Sequence, residues 1–145
     1  MKMICTLFFC SLLFLPLAAQ PDFSGAWKGI LTQNEGGFRS EYQFEVYLIQ
    51  EGKQVRGRTY VSVDDIYAEL DIEGQIINGH TVVFREVRFV RFSRLENLEW
   101  CYKLARLKLQ REGDTWRLEG PWEGYTSFGR CIPGQITLTR EKPQV

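Results

Sequence analysis

The sequence predicts an all-β fold, an eight-stranded antiparallel up-and-down barrel. Most of the chain consists of short segments in which apolar and polar residues alternate, the pattern of a half-buried strand. Turn signals rich in glycine, asparagine and aspartate separate these segments at regular intervals. Seven turns make eight strands, and closing the sheet on itself removes its exposed edges. A two-sheet β-sandwich is the alternative that the same pattern allows.

An apolar leader precedes the strands. A lysine stands near its start, the run from Ile4 to Leu17 is almost wholly apolar, and small residues end it. This layout predicts a signal peptide over residues 1–19, because the run is shorter than the roughly 20 residues that span a bilayer. We therefore expect an exported protein, periplasmic or extracellular, with 20–145 as one barrel domain and no stable membrane span after cleavage. An uncleaved membrane anchor is the alternative.

The turn signals divide the mature chain into eight strands. We predict them near residues 24–32, 39–50, 54–63, 67–77, 80–92, 98–111, 115–121 and 133–140. The second strand alternates polar residues with an apolar set expected to face the interior, namely Tyr42, Phe44, Val46 and Leu48. A symmetric turn after the third strand sets two opposite-charge pairs on the outer face, Arg58 with Asp71 and Arg56 with Glu73.

The fifth strand carries arginines whose side is ambiguous. Asn78-Gly79 is the strongest hairpin signal in the chain, and a two-residue turn there sets a register in which Arg85 and Arg91 point inward. A bulge between residues 83 and 90 would turn them back to solvent. If they do face the interior, they are candidates to pair with an acidic group of a ligand, since a guanidinium buried alone is too costly.

The sixth strand also changes phase. In its first half the residues expected to face inward are Trp100, Tyr102 and Leu104, at even positions. In its second half they are Leu107 and Leu109, at odd positions. A bulge near Ala105 would reconcile the two halves. In the seventh strand Trp116 is predicted to be core, whereas Trp122, Tyr125 and Phe128 lie in or beside a glycine-rich loop. These last three either pack across one barrel end or contact a ligand or partner.

The two mature cysteines, Cys101 and Cys131, are predicted to form a structural disulfide, because an even cysteine count is usual in exported domains. Lysine and arginine number 18, as do aspartate and glutamate, so no charge excess indicates nucleic-acid binding. The only histidine, His80, follows a hairpin turn, and no spacing typical of metal ligands occurs. We therefore expect no enzymatic activity, no cofactor and no metal.

Short motifs on the first and last strands resemble those of the calycins, the superfamily of lipocalins, avidins and fatty-acid-binding barrels. Gly25-Ala26-Trp27 matches the lipocalin Gly-x-Trp on the first strand, and Arg140 ends the last strand. The resemblance implies that Trp27 closes one barrel end and that Arg140 packs across it. More narrowly, Trp100-Cys101 and Cys131-Ile132-Pro133-Gly134 are similar to motifs of small exported bacterial lipocalin-like proteins.

Two functions follow as hypotheses. The first is the binding of a small hydrophobic or amphipathic ligand inside the barrel, with Tyr42, Phe44, Trp116, Arg85 and Arg91 as the candidate ligand-binding residues. The second is a protein-interaction or inhibitor module with a packed barrel, which presents Tyr47, Ile49 and the loop 124–130 to an envelope or extracellular partner. An eight-stranded barrel can either be filled by its own side chains or hold one small ligand, so the interior volume separates the two.

Overall fold

The computed structural model describes residues 22–140, and the predicted signal peptide lies outside them. The strands are β1 (Gly25–Thr32), β2 (Glu41–Glu51), β3 (Gln54–Val63), β4 (Ile66–Ile77), β5 (Thr81–Phe92), β6 (Tyr102–Glu112), β7 (Thr115–Thr126), β8 (Gly129–Arg130) and β9 (Gly134–Arg140). Eight of them, β1 to β7 and β9, form a closed antiparallel barrel in up-and-down order, which confirms the predicted fold class. The two-residue β8 extends the sheet beside the end of β7. Within the described residues, no helix is long and apolar enough to cross a membrane.

The core lies inside the barrel and follows from the alternation along each strand. The apolar set of β2 is buried as predicted, and the same period buries Leu70 and Ile72 in β4. The largest fully buried apolar side chains are Phe23, Trp27, Phe44, Leu48, Leu70, Phe84, Leu107, Leu118, Ile136 and Leu138. Each contributes about 1.5–3 kcal/mol by leaving water, or more for the indole.

The register between β3 and β4 sets Arg58 opposite Asp71 and Arg56 opposite Glu73, as predicted. The Arg58 guanidinium lies 2.9 Å from the Asp71 carboxylate and forms the expected cross-strand ion pair. Arg56 instead reaches along the sheet to Glu51, at 3.1 Å. The backbone pairing therefore follows from the turn, whereas the choice of ion partner depends on side-chain reach.

The β4–β5 hairpin differs from the prediction by one residue. Asn78 and Gly79 both have positive φ, as a tight turn requires, but Ile77 pairs with Thr81 and the loop holds three residues. His80 is the extra residue, and its carbonyl accepts a hydrogen bond from the Leu109 N–H of β6 at 2.7 Å. His80 thus bonds to β6, and the β4–β5 register shifts by one.

This shift overturns the predicted faces of β5, because a one-residue slip turns every side chain to the opposite side. Phe84 and Glu86 are buried inside, and Arg85 is exposed on the outer face. Two register irregularities, which skip Val87 and Val90, then keep Arg91 outside as well. The register that pointed Arg85 and Arg91 inward is wrong. Irregularities do occur in this strand, but they lie after Arg85, so the hairpin register and not a bulge turns Arg85 outward.

The predicted bulge near Ala105 in β6 is also wrong. Inward residues follow one another without a break in phase, and they are Lys103, Ala105, Leu107 and Leu109. Leu104, which was expected inside, is 41% exposed on the outer face. The expectation failed because it kept a lysine out of the core, whereas the barrel interior holds an acidic partner for it.

Candidate functional site

One end of the barrel is filled by aromatic side chains, and we call it the closed end. It carries the turns after β2, β4 and β6, and it buries Phe23 and Trp27 completely. The Trp27 Nε1–H donates to the Phe23 carbonyl at 2.9 Å, and the Phe23 N–H donates to Gln50 Oε1 at 2.8 Å. The Arg140 guanidinium lies 4.6 Å from the centre of the Trp27 ring, which is the arrangement that the calycin resemblance implies.

The opposite end, the open end, carries the turn between β3 and β4 and the loops 33–40, 93–101 and 127–133. Between these loops and the barrel interior lies a cavity of about 240 Å³, which we call the mouth cavity. Its walls are mainly apolar and aromatic and include Leu31, Tyr42, Val61, Leu98, Trp100 and Trp122. Trp122 is buried and fixed in place, because its Nε1–H donates to the Thr32 carbonyl at 2.8 Å.

A disulfide and a carboxylate hold the loops of the open end together. Cys101 and Cys131 are bonded, with their Cα atoms 6.4 Å apart, which confirms the predicted disulfide and is consistent with an oxidising, exported environment. Glu99 accepts hydrogen bonds from the Ser127 hydroxyl and from the Ser127 N–H, the latter at 2.9 Å. These bonds hold the pKa of the Glu99 carboxyl below its usual range. Both ties join the loop 93–101 to the loop 127–133.

The inner boundary of the mouth cavity is polar. Lys103 lines it, and the Lys103 Nζ lies 3.0 Å from Glu86 Oε2, with both side chains almost wholly buried. The ammonium also donates to the Cys101 carbonyl at 3.2 Å and lies 5.9 Å from the Phe44 ring centre. Glu86 Oε1 accepts a hydrogen bond from Thr59 Oγ1 at 2.7 Å. We call Lys103 and Glu86 the buried pair.

The ladder between β5 and β6 explains how the barrel accommodates this pair. Backbone pairing runs from Thr81 opposite Lys108 to Arg85 opposite Leu104 and ends there. At the next position Glu86 Oε2 accepts the Lys103 N–H at 2.9 Å, so a side-chain carboxylate takes the place of a backbone carbonyl. Each carboxylate oxygen therefore has donors inside the protein, the condition under which a charge can be buried.

The predicted ligand-binding residues that face inward do not form one site. Tyr42 lines the mouth cavity, and its hydroxyl donates to Gln33 Oε1 at 2.5 Å, while burial raises the pKa of the phenol. Phe44 is fully buried and does not line the mouth cavity, and its ring centre lies 5.9 Å from the Lys103 ammonium. Trp116 belongs to the closed end, where the Arg111 guanidinium lies 5.3 Å from its ring centre.

Arg85 and Arg91 lie on the outer wall and pair with carboxylates of β4. Arg85 lies 2.6 Å from Glu73, and Arg91 lies 3.0 Å from Glu69, which also binds Arg58 at 3.0 Å. Burial tends to raise the pKa of Glu69, but the hydrogen bonds from its partners outweigh burial and lower it. These contacts account for both arginines as parts of a surface ion network, and their proposed role toward a ligand loses its basis.

Sequence reasoning missed Lys103 and Glu86. A signal was present, because Lys103 continues the two-residue period of Ala105 and Leu107, and Glu86 continues that of Phe84. A charged residue at an inward position of the alternation ordinarily argues that the strand faces have been assigned the wrong way round. Inside a closed barrel it can instead mark an interior ion pair.

Other candidate chemistry lies elsewhere or is absent from the described part of the chain. His80 stands at the closed end, where its Nδ1 lies 3.1 Å from Thr81 Oγ1. Across residues 22–140, no group of three histidine, cysteine, aspartate or glutamate side chains could hold a metal ion. Comparison with protein-family models, with curated proteins and with solved structures found no match. The function is therefore argued from the mouth cavity itself.

Proposed function

We propose that this protein binds a small, mainly apolar ligand in the mouth cavity, as an exported barrel of calycin type. The observation that supports the proposal is an apolar cavity that opens between loops and ends on a polar boundary inside the barrel. Small-molecule sites have this composition, with hydrophobic walls and few polar groups that orient the ligand. The disulfide at the same end and the predicted leader support export of such a carrier.

The size of the mouth cavity limits the ligand. An apolar cavity of about 150 Å³ binds benzene, and sites for drug-sized molecules run from roughly 300 to 1,000 Å³. At about 240 Å³, the mouth cavity suits a compound near the size of two fused rings. A long acyl chain would have to leave much of its length in the solvent.

A direct test uses 1-aminonaphthalene, a neutral bicyclic fluorophore whose emission shifts to shorter wavelength in apolar surroundings. Protein refolded without lipid is expected to bind it saturably with one site. Leu98 and Leu104 form a matched pair, since they are 44% and 41% exposed but only Leu98 lines the mouth cavity. Leu98→Ser should weaken binding about five-fold through lost apolar contact, and Leu104→Ser should leave it unchanged. Absence of saturable binding, or equal effects of the two changes, contradicts the proposal.

A protein-interaction function is the second candidate, favoured by the exposure of the aromatic side chains around the open end. Phe128 is 77% exposed and Tyr125 is 60% exposed, and on the outer wall Tyr47 is 55% exposed. A partner bound at the open end should lose affinity with Phe128→Ser and keep it with Tyr47→Ser. Tagged protein and both variants, used for capture from the source culture, provide this comparison. A partner whose binding ignores both changes argues against it.

A further inference from the structure

We infer that the ligand is uncharged and carries a hydrogen-bond acceptor, such as a ketone, ester or amide oxygen, which the buried pair receives through the Lys103 ammonium. The inference rests on the proposed ligand-binding function and names the class of ligand. It departs from the acidic ligand group that inward-facing arginines would have paired with, because Arg85 and Arg91 lie outside the barrel.

The ammonium of Lys103 has donor capacity to spare. A lysine carries three N–H donors and no acceptor. Two acceptors face it among the described residues, Glu86 Oε2 at 3.0 Å and the Cys101 carbonyl at 3.2 Å. Lys103 also lines the mouth cavity, so its third donor is available to an acceptor that enters from the open end.

The charge of the pair selects against an anion. Glu86 already neutralises Lys103, and both side chains are buried. A ligand carboxylate beside them would add a net negative charge to a low-dielectric interior, and removing that charge from water costs several kcal/mol. A neutral carbonyl adds no charge and satisfies the remaining donor.

Charges at the rim do not change this balance. Glu99 and Arg130 also line the mouth cavity, and they carry opposite charges. Glu99 bonds to Ser127, and both rim residues contact solvent, which screens them. The apolar body of the ligand would then lie between Leu98, Trp100 and Trp122, with its acceptor directed inward.

Three probes of nearly the same shape test the inference by isothermal titration calorimetry at pH 7. They are 2-acetylnaphthalene, a neutral ketone, 2-naphthoate, a carboxylate, and 2-isopropenylnaphthalene, a hydrocarbon. The ketone should bind about ten-fold tighter than the hydrocarbon, as expected for a hydrogen bond from a charged donor. It should bind at least about ten-fold tighter than the carboxylate, because a bond to the ammonium offsets only part of the cost of burying that charge.

Two variants alter the pair while keeping its shape. Glu86→Gln leaves an amide that can still accept the Lys103 N–H and bond to Thr59, but it removes the neutralising charge. The preference should then reverse, with the carboxylate about ten-fold tighter than the ketone. Glu86→Gln combined with Lys103→Met should erase both preferences while the hydrocarbon still binds. The thermal unfolding midpoint of each variant checks that the barrel is folded.

The outcomes separate the inference from the function on which it rests. If none of the three probes binds the unmodified protein, the ligand-binding function fails. If they bind with equal affinity, or the carboxylate binds best, ligand binding stands and the neutral-acceptor inference is overturned. Should the variants not fold, the probe series on the unmodified protein decides alone.

Discussion

The two ends of the barrel are closed by different means. The closed end is filled by Phe23 and Trp27, which leave no exposed surface of their own. The open end is tied by a disulfide and by Glu99, and it keeps a cavity of about 240 Å³ beneath its loops. Apolar filling stabilises an end by occupying it, whereas ties between loops stabilise it and leave the interior free. The end held by ties is therefore the one where we place the proposed ligand site.

The largest expected effect comes from emptying the closed end. Trp27→Ala should lower the free energy of unfolding by about 3–5 kcal/mol, because it removes a fully buried indole and leaves a cavity. Urea unfolding followed by circular dichroism measures the change. The exposed Phe128 at the open end is the control, and Phe128→Ala should stay within about 0.5 kcal/mol.

The affinity of the Trp27→Ala variant for 1-aminonaphthalene tests whether the two ends of the barrel are independent. If the ends are independent, folded Trp27→Ala protein should bind 1-aminonaphthalene as tightly as the unmodified protein does. Equal destabilisation by Trp27→Ala and Phe128→Ala would show that the closed end is not held by its aromatic filling.

Removing the disulfide should destabilise the protein almost as much, but from the open end. Replacing Cys101 and Cys131 by serine frees a loop closed over a separation of 30 residues. The chain-entropy relation then gives a loss of about 3–4 kcal/mol in the free energy of unfolding. Unlike Trp27→Ala, this change should also weaken 1-aminonaphthalene binding, because both cysteines line the mouth cavity.

Chemical reduction of the unmodified protein provides the control for the serine variant. The reduced protein and the double variant should share one unfolding midpoint, well below that of the oxidised protein. Unchanged ligand affinity in both would mean that the disulfide does not shape the mouth cavity.

The fold was predictable because its signals are local and repeated. Alternation in β2 identified the buried side of Phe44, and the symmetric turn before β4 set Arg58 opposite Asp71. The pairing of Cys101 with Cys131 followed from the even cysteine count of the predicted mature chain.

The site was less predictable because it depends on long-range bonds. The register of β5 goes together with a long-range bond, in which the His80 carbonyl accepts the N–H of Leu109 from another strand. The inward placement of Lys103 depends on Glu86, 17 residues away in the sequence and on a different strand. The His80 bond leaves no pattern within one segment, and the period of each strand does not show that Lys103 and Glu86 meet, so the rules for single strands did not identify the pair.

A smaller effect is expected from the polar contact of Tyr42 at the open end. Tyr42→Phe removes the hydroxyl that donates to Gln33 Oε1 and accepts the Arg39 N–H. The loss should be about 1 kcal/mol in the free energy of unfolding, measured in urea, since one side-chain network is broken. Tyr47→Phe, on the exposed outer wall, should change it by only a few tenths. Equal effects of the two changes would show that the loop 33–40 is not held by this hydroxyl.

The smallest effect is local and distinguishes the two ends by pH. The Ser127 N–H donates to the Glu99 carboxylate at the open end, whereas the Phe23 N–H donates to the Gln50 amide at the closed end. Only the first acceptor titrates. The pKa of Glu99 is lowered, so the Ser127 bond is at full strength above the usual glutamate pKa of about 4.3 and weakens as pH falls through the lowered value.

Amide chemical shifts recorded by NMR between about pH 2 and 6 measure this difference. The Ser127 amide should titrate with a midpoint below the usual glutamate value. In Glu99→Gln the Ser127 step should vanish, because an amide acceptor carries no titrating charge. A Ser127 midpoint at or above the usual value would mean that the carboxylate does not hold this loop. The disulfide would then be the tie that keeps the mouth cavity in shape.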